Sequence, residues 1–317
     1  MPMIGCFFSS EERTAGEIVE LARRAEQAGF ETAWVSDHFH PWNDEQGQSP
    51  FVWAVLGGIA ATTDRLRVHT AVTCPTMRIH PAIVAQAAAT VATMMPGRFG
   101  LGVGSGEALN EHIFGDPWPS ADVRLEMLEE AVNVIRLLWE GGVKDHRGRH
   151  YTLEHARLYS LPDDPPPIHV SGFGPKAIAL AARIADGYIT TRPDAAALAD
   201  YRRQGGRGSA HGGMKVCWAE DEAEARRTAH RLWPNEGLPG ELAQVLPTPE
   251  HFEQVSTLVS EEMVAEAVPC GPDPERHAAA IQEFLDAGYD DVYVQQIGPD
   301  QGGFLRFYER KVLPRFA

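Results

Sequence analysis

Along the chain, short apolar runs alternate with longer stretches whose apolar residues recur at helical spacing. Residues 4–8 read as a strand, followed by a helix over 14–28. In that helix Ile18, Leu21, Ala22, Ala25 and Ala28 share one face, and Gly29 follows as a C-terminal cap would. Residues 32–36 form the second predicted strand and 51–62 the next helix. A third strand over 67–72 leads to a helix over 81–94, with Pro81 in its first turn. A fourth strand, 99–103, precedes a long helix over 121–139 with Leu128, Ala131, Val132, Ile135 and Leu138 as its apolar stripe. Residues 143–158 read as a hairpin excursion, and 162–167 as a stiff proline-rich connector. Strands five to eight are expected at 168–171, 188–191, 215–219 and 291–295. The helices that follow them are expected to reach 184, to be short after strand six, and to cover 222–232 and 302–312, with one more over 274–287 before strand eight.

Strict alternation of strand and helix implies a parallel sheet. Eight repeats favour a closed (β/α)8 TIM barrel, an α/β fold, over an open doubly wound sheet. Residues 233–269 break the rhythm, being rich in Pro, Glu and small residues, and are expected to form an inserted helical lid after strand seven. The whole of 1–317 otherwise reads as a single barrel domain. In such barrels the active site sits on the loops leaving the C-terminal ends of the strands. The polar clusters after strands two, four and five fall on that rim.

The loop after strand two carries Asp37, His38, His40 and Trp42, with Pro41 stiffening it. An imidazole titrates nearest neutrality and suits proton transfer to or from a hydroxyl or carbonyl, and an indole N–H beside it can donate to a developing oxyanion. The spacing of His38 and His40 also invites a metal. A barrel hydrolase with such a pair places it after strand one, with further ligands after strands five, six and eight. Here those ends offer Ser171, Thr191 and Gln295, so no metal is expected. After strand four come Gly100, Gly102, Gly104 and Gly106, then Glu107 and Asn110. This does not fit the dinucleotide fingerprint, because Ser105 or Glu107 stands where the third glycine belongs. The glycines suit either a tight turn or close approach of a flat ring. After strand five, Ser171-Gly172-Phe173-Gly174 opens a helix, a place where free N–H groups could meet a phosphate.

Composition narrows the classes. A formal net charge of -16 argues against nucleic acid or an anionic membrane as partner. The four cysteines, Cys6, Cys74, Cys217 and Cys270, form no CxxC pair and no disulfide framework. No signal peptide and no apolar run approaching the roughly 20 residues of a spanning helix are seen, so a reducing cytoplasm is expected.

Three stretches together carry a resemblance: Ser36-Asp37-His38-Phe39 with Pro41-Trp42, the run from Gly102 through Gly104, Gly106 and Glu107 to Asn110 and Glu111, and Ala185-Asp186-Gly187-Tyr188. The chain resembles, over nearly its whole length, the coenzyme F420-dependent oxidoreductases of the bacterial-luciferase-like superfamily. The nearest branch is the one with the F420-dependent glucose-6-phosphate and secondary-alcohol dehydrogenases. The resemblance implies a deazaflavin ring against Asp37, Ala71, Val72, Gly106, Glu107 and Asn110, with Thr73, Cys74 and Ser105 beside it. It implies a non-proline cis peptide between Ala71 and Val72, and a cofactor phosphate on Ser171, Gly172, Phe173, Gly174 and Thr191. It also implies His38 as the proton-transfer residue, supported by Trp42 and Glu107, and a homodimer. The reaction it implies is hydride transfer between C5 of the deazaflavin and a carbinol or carbonyl carbon. The sugar-phosphate enzymes hold their substrate with lysines and an arginine. Here Asp194 stands where a lysine is expected, and residues 261–269 hold three glutamates and no base, leaving Arg192 alone. An uncharged alcohol or ketone is therefore the expected substrate. The alternatives are an FMN-dependent monooxygenase or reductase of the same superfamily, and a deazaflavin-binding protein without catalysis.

Overall fold

The computed structural model describes residues 2–316, in which eight parallel strands close into a barrel. The strands are β1 (Met3–Phe8), β2 (Thr32–Val35), β3 (Arg67–Thr70), β4 (Phe99–Val103), β7 (Ile168–Ser171), β8 (Gly187–Thr190), β9 (Ser209–Val216) and β10 (Asp291–Gln296). Between β4 and β7 the chain makes an antiparallel hairpin, β5 (Lys144–Arg147) with β6 (Thr152–Ala156). Each barrel strand pairs with its neighbours in chain order, and β1 closes on β10. Helices α1 (Ala15–Gln27), α2 (Val52–Thr62), α3 (Pro81–Met94), α4 (Ala108–Glu111), α5 (Ala121–Trp139), α6 (Pro175–Ile184), α7 (Ala195–Arg203) and α8 (Glu222–Leu232) follow in turn. The 233–269 stretch holds α9 (Leu242–Val245), α10 (Pro249–Ser256) and α11 (Glu261–Ala267); α12 (Pro274–Asp286) and α13 (Gln301–Phe307) complete the order. No described helix is long and apolar enough to cross a membrane.

The main core lies between sheet and helices. Ile4, Val35, Val68, Leu101, Val170, Val216 and Val292 point outward from the strands and meet Ile18, Leu56, Val84, Ile135 and Ile281. Burying such side chains stabilises the fold by about 1.5–3 kcal/mol each. The inside of the barrel is built differently. Branched aliphatic layers would be usual there, but Trp34, Tyr293, His69, His169 and His211 fill it. Glycines on adjacent strands make the room. Gly100 is the register partner of His69, Gly187 of His169, and Gly5 and Gly213 both of Tyr293. A Cβ at Gly5 would stand 2.7 Å from the Tyr293 ring.

Three differences from the sequence reading have physical causes. β9 begins six residues before the expected 215, because Gly212 and Gly213 look like a loop. In fact a Cβ at either would strike Phe284 or Trp34, so both are strand glycines under close packing. The alternating glycines of β4 were expected to admit a ligand ring or make a turn. Gly100, Gly102 and Gly104 instead leave room for His69, the carbonyl of Thr70 and Val72 of the neighbouring strand and its extension, while Gly106, at a φ of 81°, makes the turn and packs against Cys74. The last helix ends at Phe307 and widens into a π turn, Tyr308–Val312.

Candidate active site at the barrel mouth

β2 ends at Val35, and the buried residues Ser36 and Asp37 carry the chain on to His38 at the mouth. The Nε2 of His38 lies 3.4 Å from Glu11 Oε1 and 3.6 Å from Glu107 Oε2. Glu11 comes from the loop after β1. It is fully packed away and accepts hydrogen bonds from the hydroxyls of Ser9 and Ser36 at 2.7 and 2.8 Å. Burial pushes its carboxyl up, but the His38 imidazole and the two hydroxyls outweigh burial and hold it below the usual carboxylate range. Glu107 keeps about a third of its side chain open to the mouth. Desolvation raises its carboxyl above the usual range, and the charge of Glu11 adds to that rise. The two acids flanking one imidazole are thus pushed apart: Glu11 stays ionised and Glu107 protonates more readily.

Asn110 fixes the other edge of His38. Its Oδ1 accepts the backbone N–H groups of Phe39 and His40 at 2.8 and 3.1 Å, which sets the carboxamide's orientation. Its Nδ2 donates to Glu107 Oε2 at 3.1 Å and faces His38 Nδ1 at 3.1 Å. Nδ1 also lies 3.2 Å from the carbonyl of His40. It therefore has a partner in either state, accepting from Asn110 when bare and donating to His40 when protonated. The neutral imidazole carries its proton on Nε2 when Asn110 donates to Nδ1, and on Nδ1, leaving Nε2 bare, when Nδ1 donates to the carbonyl of His40.

Trp42 packs beside His38, with ring centroids 5.1 Å apart, and edge-on to Phe252 of α10 at 5.0 Å. Around it, Asn43 and Gln46 both donate to the carbonyl of Leu232, and Trp233 donates to Glu12 at 2.6 Å. The 233–269 segment thereby roofs the His38 loop through its own apolar cluster of Trp42, Leu109, Phe252 and Val264. His40 turns away from the group: it contacts the carbonyl of Leu109 and stacks near His112.

Asp37 lies in the wall, its carboxylate accepting from Thr73 at 2.8 Å and Arg78 at 2.9 Å. Arg78 also pairs with buried Glu111, so the charges compensate one another below the mouth. Cys74 contacts Thr76 and packs against Gly106; burial pushes its thiol well up. The peptide between Ala71 and Val72 is cis, as expected. Both residues rest on the stacked rings of Trp34 and Tyr293, 4.2 Å apart, which gives the mouth a flat apolar floor. Ser105 is half-buried in the turn before Glu107. On the far side Ser171 and Gly172 lead to Phe173, Gly174 and the start of α6, whose first turn has no side-chain cap. Thr191 is exposed nearby, and Arg192 lies over the Phe173 ring at 5.7 Å.

A cavity of about 350 Å³ lies beside this group rather than over it. Thr191, Lys215, Glu236, Glu266 and Arg276 line it, and His38, Trp42 and Glu107 do not. Sequence reasoning missed Glu11, Arg78, Lys215 and Arg276. Glu11 had a usable signal, since Ser9-Ser10-Glu11-Glu12 is a polar cluster directly after a buried strand. The other three become relevant only once the loops meet.

The sequence profile of the luciferase-like monooxygenases matches residues 3–291. The chain is 36% identical to an F420-dependent glucose-6-phosphate dehydrogenase of Nakamurella multipartita, covering 97% of this chain and 94% of that one. It is 34% identical to the enzyme of the same name from Microbacterium testaceum, covering 97% and 95%. Among solved structures, an F420-dependent secondary alcohol dehydrogenase in complex with an F420-acetone adduct superposes with a TM-score of 0.90, at 32% identity and 98% coverage of both chains. An F420-dependent tetrahydromethanopterin reductase from Methanopyrus kandleri shares the fold at a TM-score of 0.81, 21% identity and coverage of 100% and 99%.

Proposed function

The chain belongs to the luciferase-like monooxygenase family, and we propose that it is an F420-dependent oxidoreductase acting on the carbinol carbon of a small, non-phosphorylated alcohol. One observation carries the catalytic part: a single imidazole held at Nδ1 by Asn110 and facing two acids of opposite tendency at Nε2.

The mouth fits the cofactor's two halves. The flat floor of Ala71 and Val72 over Trp34 suits an apolar ring face, and the uncapped first turn of α6 suits an anionic arm. Bound there, the deazaflavin supplies a hydride-accepting or hydride-donating carbon. The protein handles the proton. His38 in the tautomer that donates Nδ1–H to the carbonyl of His40 offers the Nε2 lone pair to the substrate hydroxyl and takes its proton, with Glu107 facing the same nitrogen. Glu11, kept ionised by Ser9 and Ser36, stabilises the imidazolium that results. In the reverse direction the same proton returns to the alkoxide oxygen.

The substrate class follows from charge. Lys215 is paired with Glu236 at 2.9 Å and lies over Trp233, and Arg276 is paired with Glu222. Glu266 and Glu283 also line the cavity, so its cations are already compensated. The competing reading is a phosphorylated sugar, favoured by the names of the relatives and by Lys215 and Arg276 reaching one cavity. Side-by-side titration with F420, FMN and NADP tests the cofactor, and F420 is expected to bind most tightly. Turnover with secondary alcohols is expected to exceed that with glucose 6-phosphate by about tenfold or more. Tighter binding of FMN, or the reverse substrate order, overturns the corresponding half.

A further inference from the structure

At the end of the barrel away from the mouth, three imidazoles converge. His69 of β3, His169 of β7 and His211 of β9 each present a ring nitrogen, and these nitrogens lie within 4.8 Å of one another. His169 and His211 stack at 4.5 Å, and His69 stands edge-on to both at 5.2 and 5.3 Å. All three are at least nine-tenths buried. The surrounding positions Met3, Arg67, Ser209 and Asp291 are the first residues of their strands, which places the cluster near the N-terminal ends.

Two features make this more than packed histidine. First, Nδ1 of all three rings is buried with no hydrogen-bond partner among the described residues. Buried polar atoms without partners are uncommon and call for an occupant. Second, two of the opposite edges are held from outside. His169 Nε2 meets Ser209 Oγ at 3.1 Å, and His211 Nε2 lies 3.4 Å from Asp291 Oδ2. A carboxylate on Nε2 fixes the tautomer that leaves the lone pair on Nδ1, the arrangement usual behind a metal-bound histidine. Burial depresses the pKa of each ring, that of His169 to about 4, so the imidazoles are neutral at pH 7, as ligands must be.

We propose that the barrel floor binds one divalent transition ion of the zinc class through His69, His169 and His211. Three neutral imidazoles suit zinc, cobalt or nickel and not the harder calcium or magnesium. Zinc bonds of about 2.0–2.1 Å would bring the nitrogens to about 3.4 Å from one another in tetrahedral geometry. Rotation of the rings about χ2 moves a ring nitrogen that far without moving a strand, and it must also unstack His169 from His211. The ion would tie β3, β7 and β9 together from within. The site is separate from the mouth and does not depend on the proposed reaction.

The test uses the untagged full chain, stripped with a chelator. Equilibrium dialysis against zinc chloride should give one ion per chain, and zinc should raise Tm. Cobalt(II) should give the intense visible bands of a four-coordinate nitrogen site. His69→Gln, His169→Gln and His211→Gln should each abolish the cobalt bands. His155→Gln, on the exposed hairpin, should leave them unchanged. Because barrel variants can fail to fold, Asp291→Asn provides a milder arm, expected to weaken binding roughly 10–100-fold. A wild-type chain without cobalt bands, or bands and affinity unchanged in folded barrel variants, overturns the proposal.

Discussion

The carboxamide of Asn110 clamps His38 from behind: its oxygen takes two backbone N–H groups of the same loop, and its nitrogen faces the imidazole Nδ1 at 3.1 Å. The loop after β4 therefore orients the imidazole of a residue from the loop after β2. Asn110→Ala removes that control while leaving the imidazole in place. Its kcat is expected to fall about 10–100-fold, with F420 affinity weakened as well, whereas His38→Ala should lose about 10²–10⁴-fold in kcat. Steady-state kinetics beside a cofactor titration checks both, and near-wild-type turnover in His38→Ala would remove the imidazole from the reaction.

Glu107 carries a pH signature. Desolvation raises its carboxyl, so it remains protonated at pH values where an ordinary glutamate is ionised. A reaction in which ionised Glu107 stabilises the imidazolium formed on His38 gains rate as pH rises through this elevated pKa. Glu107→Gln keeps the shape and cannot ionise, so the acid limb of kcat/KM should disappear along with most of the rate. A limb that survives in the variant assigns it to another group.

The β4 glycines predict sharp positional sensitivity. A Cβ at Gly102 would run into the carbonyl of Thr70, a backbone atom that cannot step aside. Gly102→Ala is expected to cost about 3 kcal/mol or more. Gly16, in α1 with open space around it, is the control, and Gly16→Ala should stabilise by about 0.5–1 kcal/mol. Urea unfolding of the two variants reads both signs.

Acid sensitivity follows from buried histidines. Burial lowers His277 and His169 from 6.5 to about 4. Between those values the unfolded chain binds a proton that the folded chain refuses, so stability falls as pH drops below about 6.5. From pH 7 to pH 5 each is expected to cost about 2 kcal/mol. His277 bonds Tyr308 and the carbonyl of Gly271, and His277→Gln in metal-free protein should show a correspondingly smaller loss. Equal losses in both proteins would assign the effect elsewhere.

The barrel, its eight-fold alternation and its rim were legible in the sequence because burial imposes a period on each element separately. Phe99–Val103, Ile168–Ser171, Pro81–Met94 and Ala121–Trp139 begin and end where the pattern places them. The loop with His38 and Trp42 was legible too, since such residues after a buried strand have no packing reason to be there. What no local pattern carries is partnership between distant residues. Glu11 meets His38 across 27 positions, and Gly100 takes its meaning from His69 on the neighbouring strand. His69, His169 and His211 look like isolated residues in three apolar runs and converge only when the sheet closes. Periodicity is set by each segment's own burial, whereas distances between segments are set by register and closure, which exist only in the folded chain.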